Sequence, residues 1–460
     1  MTATEIAPEL STRIDSLIEG ETATFRRRQR RSEEISRRAT SLAGGATSSW
    51  QVAEPHAVWL SHGNGSKLYD VDGNEYSDFH GGYGVSLAGH NHPAIVAAVR
   101  ARVARGTHFA QPTEDSIVVA DNLAERYGQP LWRFGNSGTE STMDAVHLMR
   151  AATGRDRIIK VEGGYHGHHD SVMVSVLPED VGDLGPVDAP TPFPENTGIP
   201  AATMDLTMIV PFNNLPAVEA ALERHPGEVA GMILEPIMMN AGIIHPEDGY
   251  LQALKDLLHA HGALLTFDEV KTGLTVGPGG ASGLFGVTPD LVCVAKALGG
   301  GLSTSAIGGS TVMELIVRRE YEQVGTFNGN PLAMAAARAM LTEVVTPQAY
   351  AHLDRLRDRM RDGLQAVIDR YDAPWLVVTA GAKGCVSFMP GRIRNFRDFR
   401  ALDGRYGHAH WLVQHNRGAF LPPWGKVEQW LISVQHTDAD VDRFVANFGH
   451  LADQLLGEPV

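Results

Sequence analysis

From about Gly89 onward, a series of short apolar runs alternates with helix-patterned stretches, and this alternation constrains the fold more than any other feature. The runs are LeuTrpArgPhe (131–134), ArgIleIleLysVal (157–161), ValAlaGlyMetIleLeuGlu (229–235), AlaLeuLeuThrPheAspGlu (263–269) and LeuValCysValAlaLys (291–296). Nearly continuous apolar strands separated by stretches such as Gly249 to His261 predict a mainly parallel sheet with helices on both faces. In such sheets ligands bind beyond the carboxyl ends of the strands. Residues 177–200, rich in Pro, Gly and Asp, predict a long excursion that can cover such a site.

The flanks follow other patterns. AspGly at Asp72 and Gly73, between short alternating segments, predicts a hairpin. After Pro347 come a charged helix (353–371), strands near 375–389 and 430–434, and a final helix (438–456). The expected organisation is therefore an N-terminal helix and small antiparallel segment (1–88), a large α/β domain (89–340) and a C-terminal small α+β domain (341–460). A chain of 460 residues suits such a division and can enclose a site.

The net charge of −15 argues against nucleic acid as the main partner. The arginine-rich stretch Phe25 to Arg38 is a solvated helix face or a subunit contact. No apolar run approaches the roughly 18 residues of a membrane helix, so no membrane partner is expected. Two cysteines in unrelated contexts, Cys293 and Cys385, point to a reducing, cytoplasmic setting.

Several residues can carry chemistry. Asp268 ends an apolar run, where a carboxylate either solvates and caps the strand end or meets a positive ligand group. Lys296 ends the next run and is followed by AlaLeuGlyGlyGly. It is either a snorkelling surface lysine or a desolvated amine suited to Schiff-base chemistry. AsnSerGlyThrGlu (136–140) follows a strand and opens a helix, so it is an ordinary N-cap or a phosphate cradle. GlyTyrHisGlyHisHis (164–169) lacks the spacing of a metal site, so no metal is expected, and Tyr165 suits an aromatic plate against a planar cofactor.

SerGlyThrGlu, TyrHisGlyHisHisAsp, PheAsnAsn (212–214), GluPro (235–236), ThrPheAspGluVal, GlyValThrProAsp (286–290), LysAlaLeuGlyGlyGly and GlyThrPheAsnGlyAsnPro (325–331) together resemble the class III pyridoxal-phosphate (PLP) aminotransferases, most closely the glutamate-1-semialdehyde 2,1-aminomutase branch. The resemblance implies fold type I, the aspartate aminotransferase-like architecture, with a small lobe built from both termini. It implies PLP as cofactor, with pyridoxamine phosphate (PMP) as the alternate form. Lys296 would form the Schiff base and shuttle the substrate proton, and Asp268 would pair with the pyridinium nitrogen. Val270 and Tyr165 would sandwich the ring. Ser137, Gly138 and Thr139 would hold the phosphate, with Thr326 coming from a neighbouring subunit of a homodimer. His166, Asn213 and Glu235 would complete the cofactor's surroundings.

One departure bears on substrate. Where the aminomutase pattern has GlyGlyValAsnSerProValArg, this chain has GlyGlyAlaThrSerSerTrpGln, so Gln51 replaces an arginine that reads a carboxylate. Glutamine cannot reproduce a bidentate arginine clamp. The expectation is an aminotransferase that moves an amino group from an amine or amino acid to a keto acid, with intramolecular aminomutase activity as the alternative. Ser48, Trp50, Gln51 and Trp424 are the candidate substrate residues. Arg392, Arg394, Arg397 and Arg400 are surface charge or a second carboxylate contact.

Overall fold

The computed structural model describes residues 8–177, 184–423, 426 and 429–457. The chain divides into two compact units: residues 1–92, 347–392 and 401–460 form the first, and Pro93–Thr346 with Ile393–Arg400 form the second.

The second unit is built on a seven-stranded sheet. Its strands are β1 (Leu131–Gly135), β2 (Arg157–Val161), β3 (Thr207–Val210), β4 (Val229–Leu234), β5 (Leu264–Asp268), β6 (Leu291–Val294) and β7 (Ser305–Gly309). The spatial order is β1-β7-β6-β5-β4-β2-β3. The β6-β5-β4-β2-β3 pairs are parallel, whereas β7 runs antiparallel to both β1 and β6. The sheet is thus mixed, mainly parallel and α/β, as the alternating runs predict. Every residue of β4, β6 and β7 is buried, the mark of strands covered on both faces.

The helix Gly138–Thr153 lies against this sheet, burying Ala145, Val146, Leu148 and Met149 in the same core as Ile158, Ala230, Ile233, Leu291, Cys293 and Ile307. Burying such a side chain is worth about 1.5–3 kcal/mol. It ends at Gly154, whose left-handed φ of 66° lets the chain turn away.

The first unit contains a four-stranded sheet of Leu60–Asn64, Lys67–Asp70, Glu75–Asp78 and Ala419–Phe420. The Lys67–Asp70 and Glu75–Asp78 strands pair antiparallel around Asp72 and Gly73, the hairpin the AspGly pair predicts. A three-stranded sheet joins Leu376–Ala380, Lys383–Ser387 and Gln429–Leu431. Its longer helices are Pro8–Arg28, Arg30–Arg38, Pro347–Arg370, Gly404–Asn416 and Asp438–Leu456. Among the described residues, no helix is long and apolar enough to cross a membrane.

Candidate functional site

The candidate site stands at the carboxyl ends of β5 and β6. Asp268 closes β5 opposite Cys293 of β6, and Lys296 begins the short turn Lys296–Gly299 just past β6. Parallel neighbours bring the two residues to the same sheet edge. The Lys296 backbone has φ 48°, a left-handed conformation that costs a non-glycine residue about 1–2 kcal/mol. Strain of this kind persists where the surroundings over-determine it. Burial lowers the pKa of the half-buried Lys296 amine from the ordinary lysine value, while the charges of Asp268 and Glu235 oppose that fall.

Asp268 is buried and fixed from two sides. Its Oδ1 accepts the Val270 backbone N–H at 3.0 Å, and its Oδ2 lies 2.8 Å from Nδ1 of the buried His166. An ionised carboxylate only accepts, so Nδ1 donates. His166 Nε2 is buried with no hydrogen-bond partner. The carboxylate retains acceptor capacity after these two bonds.

Glu235 follows β4 directly and is buried. It accepts the Tyr165 backbone N–H at 3.3 Å, the Met239 N–H at 3.1 Å and Asn240 Nδ2 at 3.1 Å. Burial raises its pKa above the usual carboxylate value. Burial likewise raises that of Tyr165, with the Asp268 charge adding to it.

Beside them begins the helix Gly138–Thr153. Ser137 is its N-cap, its Oγ accepting the Glu140 N–H at 3.3 Å. Thr139 Oγ1 accepts the His168 N–H at 3.1 Å. A Cβ added to Gly138 would stand 2.9 Å from both Cγ atoms of Val270, so only glycine lets the helix start pass this close to the Asp268 turn. The exposed amides at a helix start and its dipole together favour an anion.

Other expected residues are placed elsewhere. Asn213 spends both ends of its amide on loops: Oδ1 accepts the Glu247 N–H at 2.8 Å, and Nδ2 donates to the carbonyls of His245 (3.1 Å) and Arg394 (3.3 Å). It is a loop clamp, not a member of the Asp268 and Glu235 cluster. Thr326 is exposed and lines a cleft of about 410 Å³ with His108, Arg133, Phe134 and Asn328. That loop is tied to the helix start through Asn136 Nδ2 and Asn328 Oδ1, 3.1 Å apart.

Ser48, Trp50 and Gln51 belong to the first unit. Trp50 is exposed against the Tyr83 ring, and the Gln51 side-chain oxygen is taken by the Thr47 hydroxyl. Ser48 N-caps the short turn Ser49–Gln51. Trp424 lies outside the described residues.

Two features escape a reading of the sequence. Lys271, next to Val270, donates from Nζ to Asn240 Oδ1 at 2.7 Å, and its pKa falls to about 8 through burial and then the Lys296 charge. Its place directly after the Asp268 turn was the available signal. Arg397, expected as surface charge or a substrate contact, instead pairs with the buried Glu162 at 2.7 Å and donates to the Leu184 carbonyl at 2.9 Å. No sequence spacing links residues so far apart.

The arrangement offers an amine of weakened basicity, a fixed carboxylate and an anion-binding helix start. Among the described residues, no group of three or more His, Cys, Asp or Glu is placed to hold a metal ion.

Comparison with known proteins gives a consistent picture. The sequence model of the family "Aminotransferase class-III" matches residues 49–407. Glutamate-1-semialdehyde 2,1-aminomutase 1 of Staphylococcus carnosus is 36% identical over 423 residues, 91% of this chain and 96% of that protein. An omega-transaminase from Sphaerobacter thermophilus superposes with a TM-score of 0.86 at 31% identity, covering 92% of this chain and 97% of that one. A glutamate-1-semialdehyde aminomutase from Pseudomonas aeruginosa, solved in complex with PMP, gives a TM-score of 0.88 at 28% identity, covering 97% and 99%.

Proposed function

The chain belongs to the class-III aminotransferase family of PLP enzymes, and from that premise we propose that it transfers amino groups between separate substrates, from an amine or amino acid to a keto acid, with Lys296 as the cofactor-bearing lysine. The observation that carries the assignment of the lysine is the placement of Lys296 and the buried Asp268 at the ends of neighbouring parallel strands, beside a helix start.

The described residues fit PLP. The helix start at Ser137, Gly138 and Thr139 would hold its phosphate, since the Cβ that glycine lacks at 138 would crowd Val270. Asp268, fixed by His166 and the Val270 N–H, would keep a proton on the ring nitrogen. Val270 and Tyr165 would flank the ring, with Glu235 anchoring the Tyr165 backbone. Bound PLP supplies an electron sink for the carbanion left when a substrate carbon loses its proton. Lys296 Nζ would take that proton and return it, which requires the amine to spend part of its time uncharged. Thr326, on its exposed loop, would serve the site of a second copy in a homodimer.

Intermolecular transfer comes first because Gln51 stands where the aminomutase branch has its carboxylate-reading arginine. Ser48, Trp50 and Trp424 are further proposed substrate contacts. The second reading is intramolecular transfer, as in glutamate-1-semialdehyde 2,1-aminomutase. The names of the curated relatives weigh toward it, at 35% to 38% identity. Cys293 and Cys385, both buried and not joined in a disulfide, support a cytoplasmic location.

The test is a half-reaction. Purified protein is mixed with a panel of amines and amino acids without a keto acid. Transaminase activity predicts that particular donors bleach the visible band of the lysine-bound cofactor and that a keto acid restores it. Turnover of an amino aldehyde with no acceptor present would select the second reading. Absence of any visible band after PLP addition contradicts both.

A further inference from the structure

The loop that carries Thr326 is fastened at both ends and exposed between them. Gln323 and Asn328 are half-buried, whereas Val324, Gly325, Thr326 and Phe327 are all exposed. At the far end, Asn328 Oδ1 accepts Asn136 Nδ2 at 3.1 Å, and the Asn328 backbone N–H closes a turn onto the Gly325 carbonyl at 3.2 Å. A Cβ on Gly325 would collide with the Asn328 side-chain amide, so glycine is what lets that amide fold back over the turn.

The near end is held by one buried carboxylate. Asp144, on the helix Gly138–Thr153, accepts the Tyr321 hydroxyl on Oδ1 at 2.8 Å and Gln323 Nε2 on Oδ2 at 3.0 Å. Gln323 Nε2 also donates to the Phe134 carbonyl of β1 at 3.0 Å. Tyr321 packs against the core, and burial, followed by the Asp144 hydrogen bond, raises its pKa, so the hydroxyl keeps the proton it donates. The helix positions around Asp144, namely Ala145, Val146, Leu148 and Met149, bury apolar side chains in the core. A carboxylate in such a row is costly to bury and adds nothing to that packing. Its effect is on residues 321–323, which it fixes through two hydrogen bonds strengthened by its charge.

We propose that Asp144 is a positioning residue for Thr326: it fixes the stem of the loop so that Thr326 is presented to the cofactor phosphate in the site of a second copy. This rests on the proposed function, in which Lys296 bears PLP and Thr326 serves a partner's site. Asp144 touches neither cofactor nor substrate in this account. Its influence crosses the dimer, so the Asp144 of one protomer governs the site whose Lys296 belongs to the other.

The test separates the two protomers. Full-length heterodimers are purified through two affinity tags and titrated with PLP. The visible band of the lysine-bound cofactor is read, so only sites with Lys296 report. Asp144→Ala homodimers are expected to need about 10-fold more PLP for half-saturation than the wild type, from the loss of two charge-assisted hydrogen bonds. Pairing an Asp144→Ala protomer with a Lys296→Ala protomer should restore the wild-type midpoint, because the reporting site then takes Thr326 from the protomer that keeps Asp144. The reverse pair, wild type with a protomer carrying both substitutions, should keep the weak midpoint. A defect that instead follows the Lys296-bearing protomer would mean that Asp144 acts on its own helix start, which overturns the proposal and leaves Lys296 its role. A wild-type protein that forms no band would overturn the proposed function, and this proposal with it. Should Asp144→Ala fail to fold, Tyr321→Phe removes only one of the two bonds and carries the same comparison with a smaller shift. A second measurement is made before PLP is added. Amide hydrogen exchange in the peptide spanning residues 321–330 should be about 10-fold faster in Asp144→Ala than in the wild type, with Tyr321→Phe between them. Unchanged exchange in both variants would overturn the proposal.

Discussion

Asp268 and Glu269 are adjacent, both buried and both acidic, yet they do different work. Asp268 meets His166 at the strand end, whereas Glu269 accepts the Ala281 and Ser282 N–H groups at 2.5 and 2.7 Å and the Ser282 hydroxyl at 2.6 Å. Successive residues of a strand face opposite ways, so one carboxylate reaches the site and the other caps a neighbouring helix. The sequence placed Asp268 and Lys296 at strand ends because apolar runs stop there. It could not show that His166 pairs with Asp268 or that Asn213 is spent on loops, since those outcomes depend on side chains far apart in the chain. Asp268→Asn is expected to lower turnover about 100-fold with the fold intact, checked by rate assay alongside circular dichroism. Lys160 supplies a pH prediction. It is fully buried, donates to the Val174 carbonyl at 2.6 Å, and burial brings its pKa down to about 7. Between about pH 7 and the unfolded lysine value of about 10.4, the unfolded chain binds a proton that the folded one does not, so this residue's contribution to stability rises with pH across that window. Below pH 7 its full cost is present. The Tm measured from pH 7 to pH 9 should therefore rise less steeply in Lys160→Met than in the wild type.

Elements follow the same division between what is local and what is not. Five of the seven strands in the large sheet coincide with largely apolar runs visible in the sequence; β4 and β6 are apolar throughout because both their faces are buried, whereas β1 carries the exposed Arg133. Two strands, Thr207–Val210 and Ser305–Gly309, lie outside the five apolar runs. The latter is short, small-sided and carries two glycines, and its pairing with β1 and β6 comes from tertiary contact. The helix Asp438–Leu456 matches its expected span, aided by the capping box of Thr437 and Asp440. Gly138→Ala tests the close passage of the helix start against Val270. The added carbon should weaken PLP binding about 10-fold or more, measured by fluorescence titration, and Val270→Ala in the same protein should recover part of the loss. The helix Phe396–Arg400 is held to the large sheet's unit by Arg397 and Glu162. Removing one partner of a buried pair costs about 3–5 kcal/mol, so Arg397→Ala should lower the urea midpoint well beyond Arg397→Ala combined with Glu162→Gln.

On the scale of the whole molecule, the class-III family, its mixed α/β fold and its PLP chemistry were legible because separated motifs agree in order along the chain. The choice between intermolecular and intramolecular transfer was not, because it turns on substrate contacts such as Gln51. The loop bearing Thr326 also exposes Val324 and Phe327, at 82% and 58%, which suits burial against another copy. If Thr326 serves a partner's site, mixing Lys296→Ala protomers with protomers inactivated at Thr326 should recover about a quarter of wild-type activity, since only mixed dimers hold one intact site. Neither homodimer should regain activity alone. Lys296, and not its neighbour Lys271, is the proposed cofactor-bearing lysine. Reducing the PLP-loaded protein with borohydride and locating the modified lysine by peptide mass separates the two. The pyridoxyl-phosphate mass is expected on the peptide containing Lys296 and on no other. The same mass on the Lys271 peptide, or on neither, would contradict it.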